Sequence, residues 1–156
     1  MVKIVTGKIN SFKTTRLEKY YANNQIGDGF ISRKIMKDNL VYGYDLIQLS
    51  TNKVIPFVIR DSFWDGIKKI IYKIGPYCFY DETFKFLEEK TDEFITNHIS
   101  PVYLDEIGVL ELNGQGFDNI IKKLIKSKTD LCITVRDDLL DRICERYNFK
   151  EVEIIW

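Results

Sequence analysis

Eight consecutive residues, Gly7-Lys8-Ile9-Asn10-Ser11-Phe12-Lys13-Thr14, are the stretch whose types and spacing best fit a chemical task. Gly7, Lys13 and Thr14 fall on three of the four fixed positions of the phosphate-loop pattern G-x-x-x-x-G-K-[ST]. In such a loop, successive backbone N–H groups and the N-terminus of the following helix cradle phosphate oxygens. Lys13 would neutralise β/γ-phosphate charge, and the Thr14 hydroxyl would sit on a magnesium ion. Phe12 stands where the second glycine belongs. Glycine there lets the backbone approach phosphate, whereas a residue with a Cβ forced into the left-handed conformation costs about 1–2 kcal/mol. Either the loop refolds and binds no nucleotide, or Phe12 turns away and leaves a weakened site with Lys13 intact. The competing reading is a plain strand-to-helix turn with a surface lysine and an N-capping threonine.

A second constellation is Pro101-Val102-Tyr103-Leu104-Asp105-Glu106-Ile107-Gly108, followed by Glu111. An apolar strand ending in Asp-Glu is the usual partner of a phosphate loop: the Asp holds magnesium and the Glu orients or activates an attacking water. Asp-Glu after a strand is by itself common, and a solvated strand end would look the same. The two constellations reinforce each other because the elements around them suit both. Val2 to Thr6 reads as a buried strand ending at Gly7, and Thr14 to about Asn24 as a helix with Leu17, Tyr20 and Tyr21 on one stripe.

The rest of the chain supplies the frame. Gly29 to Arg33 reads as a short strand; Leu40 to Ser50 and Val54 to Ile59 read as a hairpin about Thr51-Asn52. Asp61 to Lys68 reads as a loop, and Ile70 to Ile74 with Tyr77 to Tyr80 as strands about Gly75-Pro76. Glu82 to Asn97 is predicted helical, as is Gln115 to Ser127 with Ile120, Ile121, Leu124 and Ile125 inward. Pro101 to Asp105, Asp130 to Val135 and Val152 to Ile155 read as strands, and Asp137 to Tyr147 as a helix. Strands alternating with helices imply βαβ units and a mainly parallel sheet. No linker divides residues 1–156, so a single domain is expected.

Composition narrows the function. With 23 basic and 23 acidic side chains, the chain lacks the basic excess expected of a nucleic-acid or acidic-membrane binder. Three scattered cysteines and one histidine, His98, make a structural zinc site a poor expectation. Reduced thiols, no apolar stretch near membrane-spanning length and no signal segment lead us to expect a cytoplasmic protein without a membrane role. His98 reads as a solvated loop residue. Most aromatic residues, 13% of the chain, read as core, with Phe63 and Trp64 the candidates for a nucleobase platform or protein-binding patch. The lysines Lys122, Lys123, Lys126 and Lys128 read as a solvated helix face.

Taken together, Ile4-Val5-Thr6-Gly7, Lys13-Thr14-Thr15, Gly29-Phe30-Ile31-Ser32, Gly43-Tyr44-Asp45, Gly75-Pro76-Tyr77 and Asp105-Glu106-Ile107-Gly108 with Glu111-Leu112 resemble the THEP1-type nucleoside-triphosphatases. That resemblance implies a three-layer α/β domain of the P-loop NTPase type, with an antiparallel hairpin inserted in a mainly parallel sheet. It implies hydrolysis of ATP, GTP or another nucleoside triphosphate with broad base tolerance and Mg2+. Gly7, Lys8, Ile9, Asn10, Ser11, Phe12, Lys13, Thr14 and Thr15 would bind nucleotide, and Thr14 and Asp105 the metal. Glu106 and Lys13 would be catalytic, with Glu111 a second acid near the site. The chain departs from the family at Phe12, at Lys34 in place of an acid, at Val41 in place of an arginine and at Arg136 in place of a histidine. Those departures keep open an alternative, a catalytically degenerate P-loop protein acting through a protein partner not identified by the sequence. A small-molecule kinase shares the loop but would want arginines in a mobile lid, and none is legible.

Overall fold

Strand β1 (Val2–Gly7) shows how the sheet is built: Ile4 and Val5 are both fully buried and belong to cores on opposite faces. The same split divides Phe30 from Ile31, Leu46 from Ile47, Leu104 from Tyr103 and Ile133 from Cys132, as a period of two requires of strands covered on both sides. The computed structural model describes residues 1–155. After β1 come α1 (Lys13–Asn24), β2 (Asp28–Lys37), β3 (Leu40–Gln48), β4 (Val54–Arg60), β5 (Ile70–Ile74), β6 (Tyr77–Tyr80) and α2 (Asp81–Thr96). The second half contributes β7 (Val102–Ile107), α3 (Val109–Leu112), α4 (Asp118–Lys126), β8 (Leu131–Arg136), α5 (Leu140–Tyr147) and β9 (Val152–Ile155).

The nine strands form one sheet in the order β5-β6-β4-β3-β2-β7-β8-β1-β9. The pairs β2–β7, β7–β8, β8–β1 and β1–β9 are parallel, and those from β2 out to β5 are antiparallel. Helix α1 covers one face through Leu17, Tyr20 and Tyr21, while α2, α4 and α5 cover the other through Leu87, Phe94, Ile120, Leu124 and Ile143. This is the expected three-layer α/β domain. Its antiparallel part is larger than one hairpin and takes four strands beyond β2. No described helix is long and apolar enough to cross a membrane.

Several local expectations shift. Strand β2 runs to Lys37 and turns directly into β3 at Asp38-Asn39, both with positive φ (51° and 61°), the geometry of a tight hairpin turn. Helix α4 starts at Asp118 instead of Gln115, because Gly114 and Gly116 take positive φ (73° and 62°) and end the preceding turn. Ile125 faces solvent, unlike Ile120, Ile121 and Leu124. His98 lies in an exposed turn at the end of β7 opposite Asp105. Lys122 and Lys123 pair with Asp118, Glu88 and Asp92 at 2.8–2.9 Å, a solvated face with local ion pairs.

Candidate active site

The carboxyl ends of parallel strands are where an open α/β sheet leaves a crevice. Here β1 delivers Gly7 to that edge, β7 delivers Asp105 and Glu106, β2 delivers Ser32, and β8 delivers Thr134 and Arg136. The loop from Gly7 to Thr14 folds back into α1, whose first-turn N–H groups point out of the helix without intrahelical partners. A Cβ on Gly7 would meet the Ser11 hydroxyl at 2.4 Å, so any other residue would force the Ser11 side chain to shift. Arg16 ties the loop from inside: its Nη2 donates to the carbonyls of Thr6 and Ser11, each at 3.1 Å. Sequence reasoning overlooked Arg16, which carries no motif signal.

Phe12 adopts φ 61° and ψ 32°, the left-handed region that the missing glycine would take without strain. Its ring lies 76% exposed, turned to solvent at the rim of the cleft. The ring is thus turned away from the loop, as the second of the two outcomes for this residue requires. Asn10 also sits at positive φ, 58°. Lys13, at the start of α1, is buried, and its Nζ donates to the Lys8 carbonyl at 2.8 Å. The ammonium is thereby held over the loop. That placement departs from a free surface lysine.

Asp105 is the most constrained side chain of the site. It is 2% exposed, and its carboxylate accepts four hydrogen bonds. Oδ2 accepts from the Thr14 hydroxyl at 2.7 Å and the Ser32 N–H at 2.9 Å. Oδ1 accepts from the Thr134 hydroxyl at 2.6 Å and the Glu106 N–H at 3.0 Å. The donors come from α1, from both strands flanking β7 and from β7 itself. Burial pushes the Asp105 carboxyl above its ordinary range, and the four donors oppose that push by favouring the charged form.

Glu106 follows with φ 61°, a second non-glycine residue in the left-handed region at the site. Its N–H also donates to the Thr134 hydroxyl oxygen at 2.8 Å, which fixes the peptide while the side chain enters the cleft. Desolvation raises the Glu106 carboxyl above the ordinary glutamate range, and Asp105 adds to the rise. Lys13, Lys34 and Arg136 pull against it. The side chain still reaches water through the cleft mouth, so the desolvation is partial. Arg136 is gripped by Asp138 through two contacts, Nε to Oδ1 and, at 2.7 Å, Nη2 to Oδ2.

Glu111 lines the same cleft as Glu106, and backbone groups hold its carboxylate. It is 2% exposed, and its two oxygens accept from the backbone N–H of Gly108 at 2.7 Å and of Phe117 at 2.9 Å. A Cβ on Gly116 would stand 2.4 Å from that carboxylate, so glycine makes room for the second bond. Glu111 therefore braces the turn after β7 against the start of α4. Phe63 packs on Tyr42, ring centroids 5.0 Å apart, and neither Phe63 nor Trp64 is among the cleft-lining residues. Val41 offers its carbonyl to Arg60 Nε at 2.6 Å.

A Gly-to-Lys-Thr loop after β1, joined by a hydrogen bond to an acid at the end of β7, defines a P-loop α/β domain of the nucleoside-triphosphatase class. The family model described as NTPase matches residues 3–156, and the chain belongs to that family, the one of the THEP1-type nucleoside-triphosphatases. It is 23% identical over 146 residues to the nucleoside-triphosphatase THEP1 of Thermotoga petrophila, covering 92% of this chain and 78% of that protein. The corresponding protein of Thermotoga sp. strain RQ2 is also 23% identical, with 80% of its length covered. Among solved structures, THEP1 from Aquifex aeolicus superposes with a TM-score of 0.71 at 18% identity, covering 99% of this chain and 88% of that one. A human cancer-related nucleoside triphosphatase gives a TM-score of 0.66 at 20% identity, covering 99% and 86%.

Proposed function

We propose that this chain binds a nucleoside triphosphate with Mg2+ at the Gly7–Thr15 loop and hydrolyses it, with the broad base tolerance that the family resemblance implies. The observation that carries the reading is the 2.7 Å hydrogen bond from Thr14 Oγ1 to Asp105 Oδ2, between residues 91 apart in sequence. It joins the last residue of the loop to the strand-end acid, which a chance strand-to-helix turn has no reason to do. Lys13 binds the β/γ-phosphates beside the first-turn N–H groups of α1. Glu106, with its raised carboxyl and its place in the cleft, accepts the proton of the attacking water.

The residues fit a hard divalent cation. Thr14 gives its hydroxyl proton to Asp105 and keeps oxygen lone pairs for a metal, while four donors hold the Asp105 carboxylate in place. Bound magnesium would neutralise phosphate charge there. The second reading, a degenerate module, rests on Phe12; its ring points to solvent, which favours a weakened site over an absent one.

Calorimetry with Mg-ATP and Mg-GTP, with Lys13→Ala as control, tests the proposal. Micromolar binding lost in the variant supports it. Absence of binding at millimolar nucleotide leaves the degenerate module standing.

A further inference from the structure

Three cations from three elements meet around Glu106. Lys13 comes from α1, Lys34 from β2 and Arg136 from β8, and all three line the same cleft of about 800 Å³ as Glu106. The sheet explains the meeting. Strands β2 and β8 are the two parallel neighbours of β7, which ends in Asp105 and Glu106. Lys34 therefore comes from one flank of that strand end and Arg136 from the other. Arg136 also pairs in register with Gly7, the first residue of the phosphate loop.

The partners of these cations are as informative as their places. Lys13 donates to a neutral group, the Lys8 carbonyl. Lys34 is exposed and forms no ion pair among the described residues. Arg136 commits Nε and Nη2 to Asp138, which fixes the guanidinium plane and leaves Nη1 to donate elsewhere. Glu106 feels all three charges through space, and none of them bonds to its carboxylate. Like charges gathered in one cleft repel each other, and an ion pair with Glu106 would relieve that repulsion. The fold instead leaves their donors open to a further anion.

The hydrolase reading above, on which this inference rests, says which anion. There Glu106 takes the proton of the water that attacks the γ-phosphorus, so groups beside Glu106 are beside the γ-phosphoryl group. We propose that Lys34 and Arg136 bind the γ-phosphate oxygens from the two flanks of β7, and that through them the site distinguishes a nucleoside triphosphate from a diphosphate. Lys13 and the loop N–H groups serve the phosphates that both nucleotides carry. A diphosphate lacks the oxygens that would engage the two flanking cations.

Calorimetry on the full chain tests this with Mg-ADP and with the magnesium complex of β,γ-imido-ATP, which keeps a γ-phosphate and resists hydrolysis. Wild type should bind the triphosphate analogue more tightly. Lys34→Met and Arg136→Met should each weaken the analogue about tenfold or more, the scale of a hydrogen bond to a charged group, and change Mg-ADP by roughly twofold or less. Neither side chain is buried, so neither change hollows the core, and circular dichroism checks the fold. Lys37→Met removes the same charge from the same strand outside the cleft lining, and should leave both affinities unchanged. Equal losses for the two nucleotides, no loss for either, or the same loss in Lys37→Met overturns the assignment and leaves the hydrolase standing. Absence of binding by both nucleotides in wild type sinks the two readings together.

Discussion

Replacing Phe12 by glycine separates the backbone of the phosphate loop from the side chain that now occupies it. At φ 61° and ψ 32° a residue with a Cβ carries about 1–2 kcal/mol of strain that glycine does not. The ring is 76% exposed, so its removal forfeits little buried area. Against the gain stands the greater freedom of glycine in the unfolded chain, about 0.5–1 kcal/mol. The net is a stabilisation of roughly 0.5–1 kcal/mol, a rise in Tm of about 1–4 °C for a domain of this size. Thermal unfolding followed by circular dichroism measures it, with Phe12→Ala beside it. Alanine keeps the strained backbone and loses the same ring, so it should leave Tm close to wild type. Nucleotide affinity should rise in the glycine variant and not in the alanine variant. A glycine variant less stable than wild type, or an alanine variant that matches it, would refute the argument that conformation is the defect.

The other predictions concern the residues around the loop. Glu106 must be ionised to accept a proton, so turnover should fall as pH drops through its raised pKa, above the ordinary glutamate range. Lys34 holds that pKa down, and Lys34→Ala should move the acid limb of the kcat profile to higher pH; an unmoved limb argues against Glu106 as the base. Thr14→Ala should weaken Mg-ATP binding by about tenfold or more while leaving metal-free ATP binding nearly unchanged, by calorimetry with and without EDTA. Glu111→Gln sets an amide NH2 against a backbone N–H and should lower stability by about 1–3 kcal/mol, seen in urea unfolding. Burial raises the folded Glu111 carboxyl, so wild type loses stability as pH rises from the unfolded glutamate pKa to the folded one. The glutamine variant should lack that slope.

Much of the framework was legible because each strand carries apolar residues of both faces, and Gly7, Lys13, Thr14 and Asp105 mark their own positions in it. What the sequence withheld has physical causes. The turn at Asp38-Asn39 lacks the Asn-Gly pair that announces such hairpins, so β2 read as ending near Arg33. How Glu111 is held was not legible, because sequence shows a carboxylate's charge and not which N–H groups donate to it. The loop's shape at Phe12 was undecided because strain of this size is small beside a whole fold's stability, and only the surrounding contacts choose. Arg16 and Thr134 were overlooked because they act through hydrogen bonds to residues of the site and occupy no pattern position.

The place of β1 bears on how the protein comes to exist at all. Residues 2–7 pair on one side with residues 131–136 and on the other with residues 152–155. Of the nine strands described, the earliest in sequence is thus clamped between the two latest. At synthesis rates of about 5–20 residues per second, its backbone groups wait many seconds for both neighbours. Contacts so distant in sequence also imply slow folding. The nucleotide loop hangs from that strand, so a nascent or truncated chain lacking its final strands would carry the loop's residues without holding them in register.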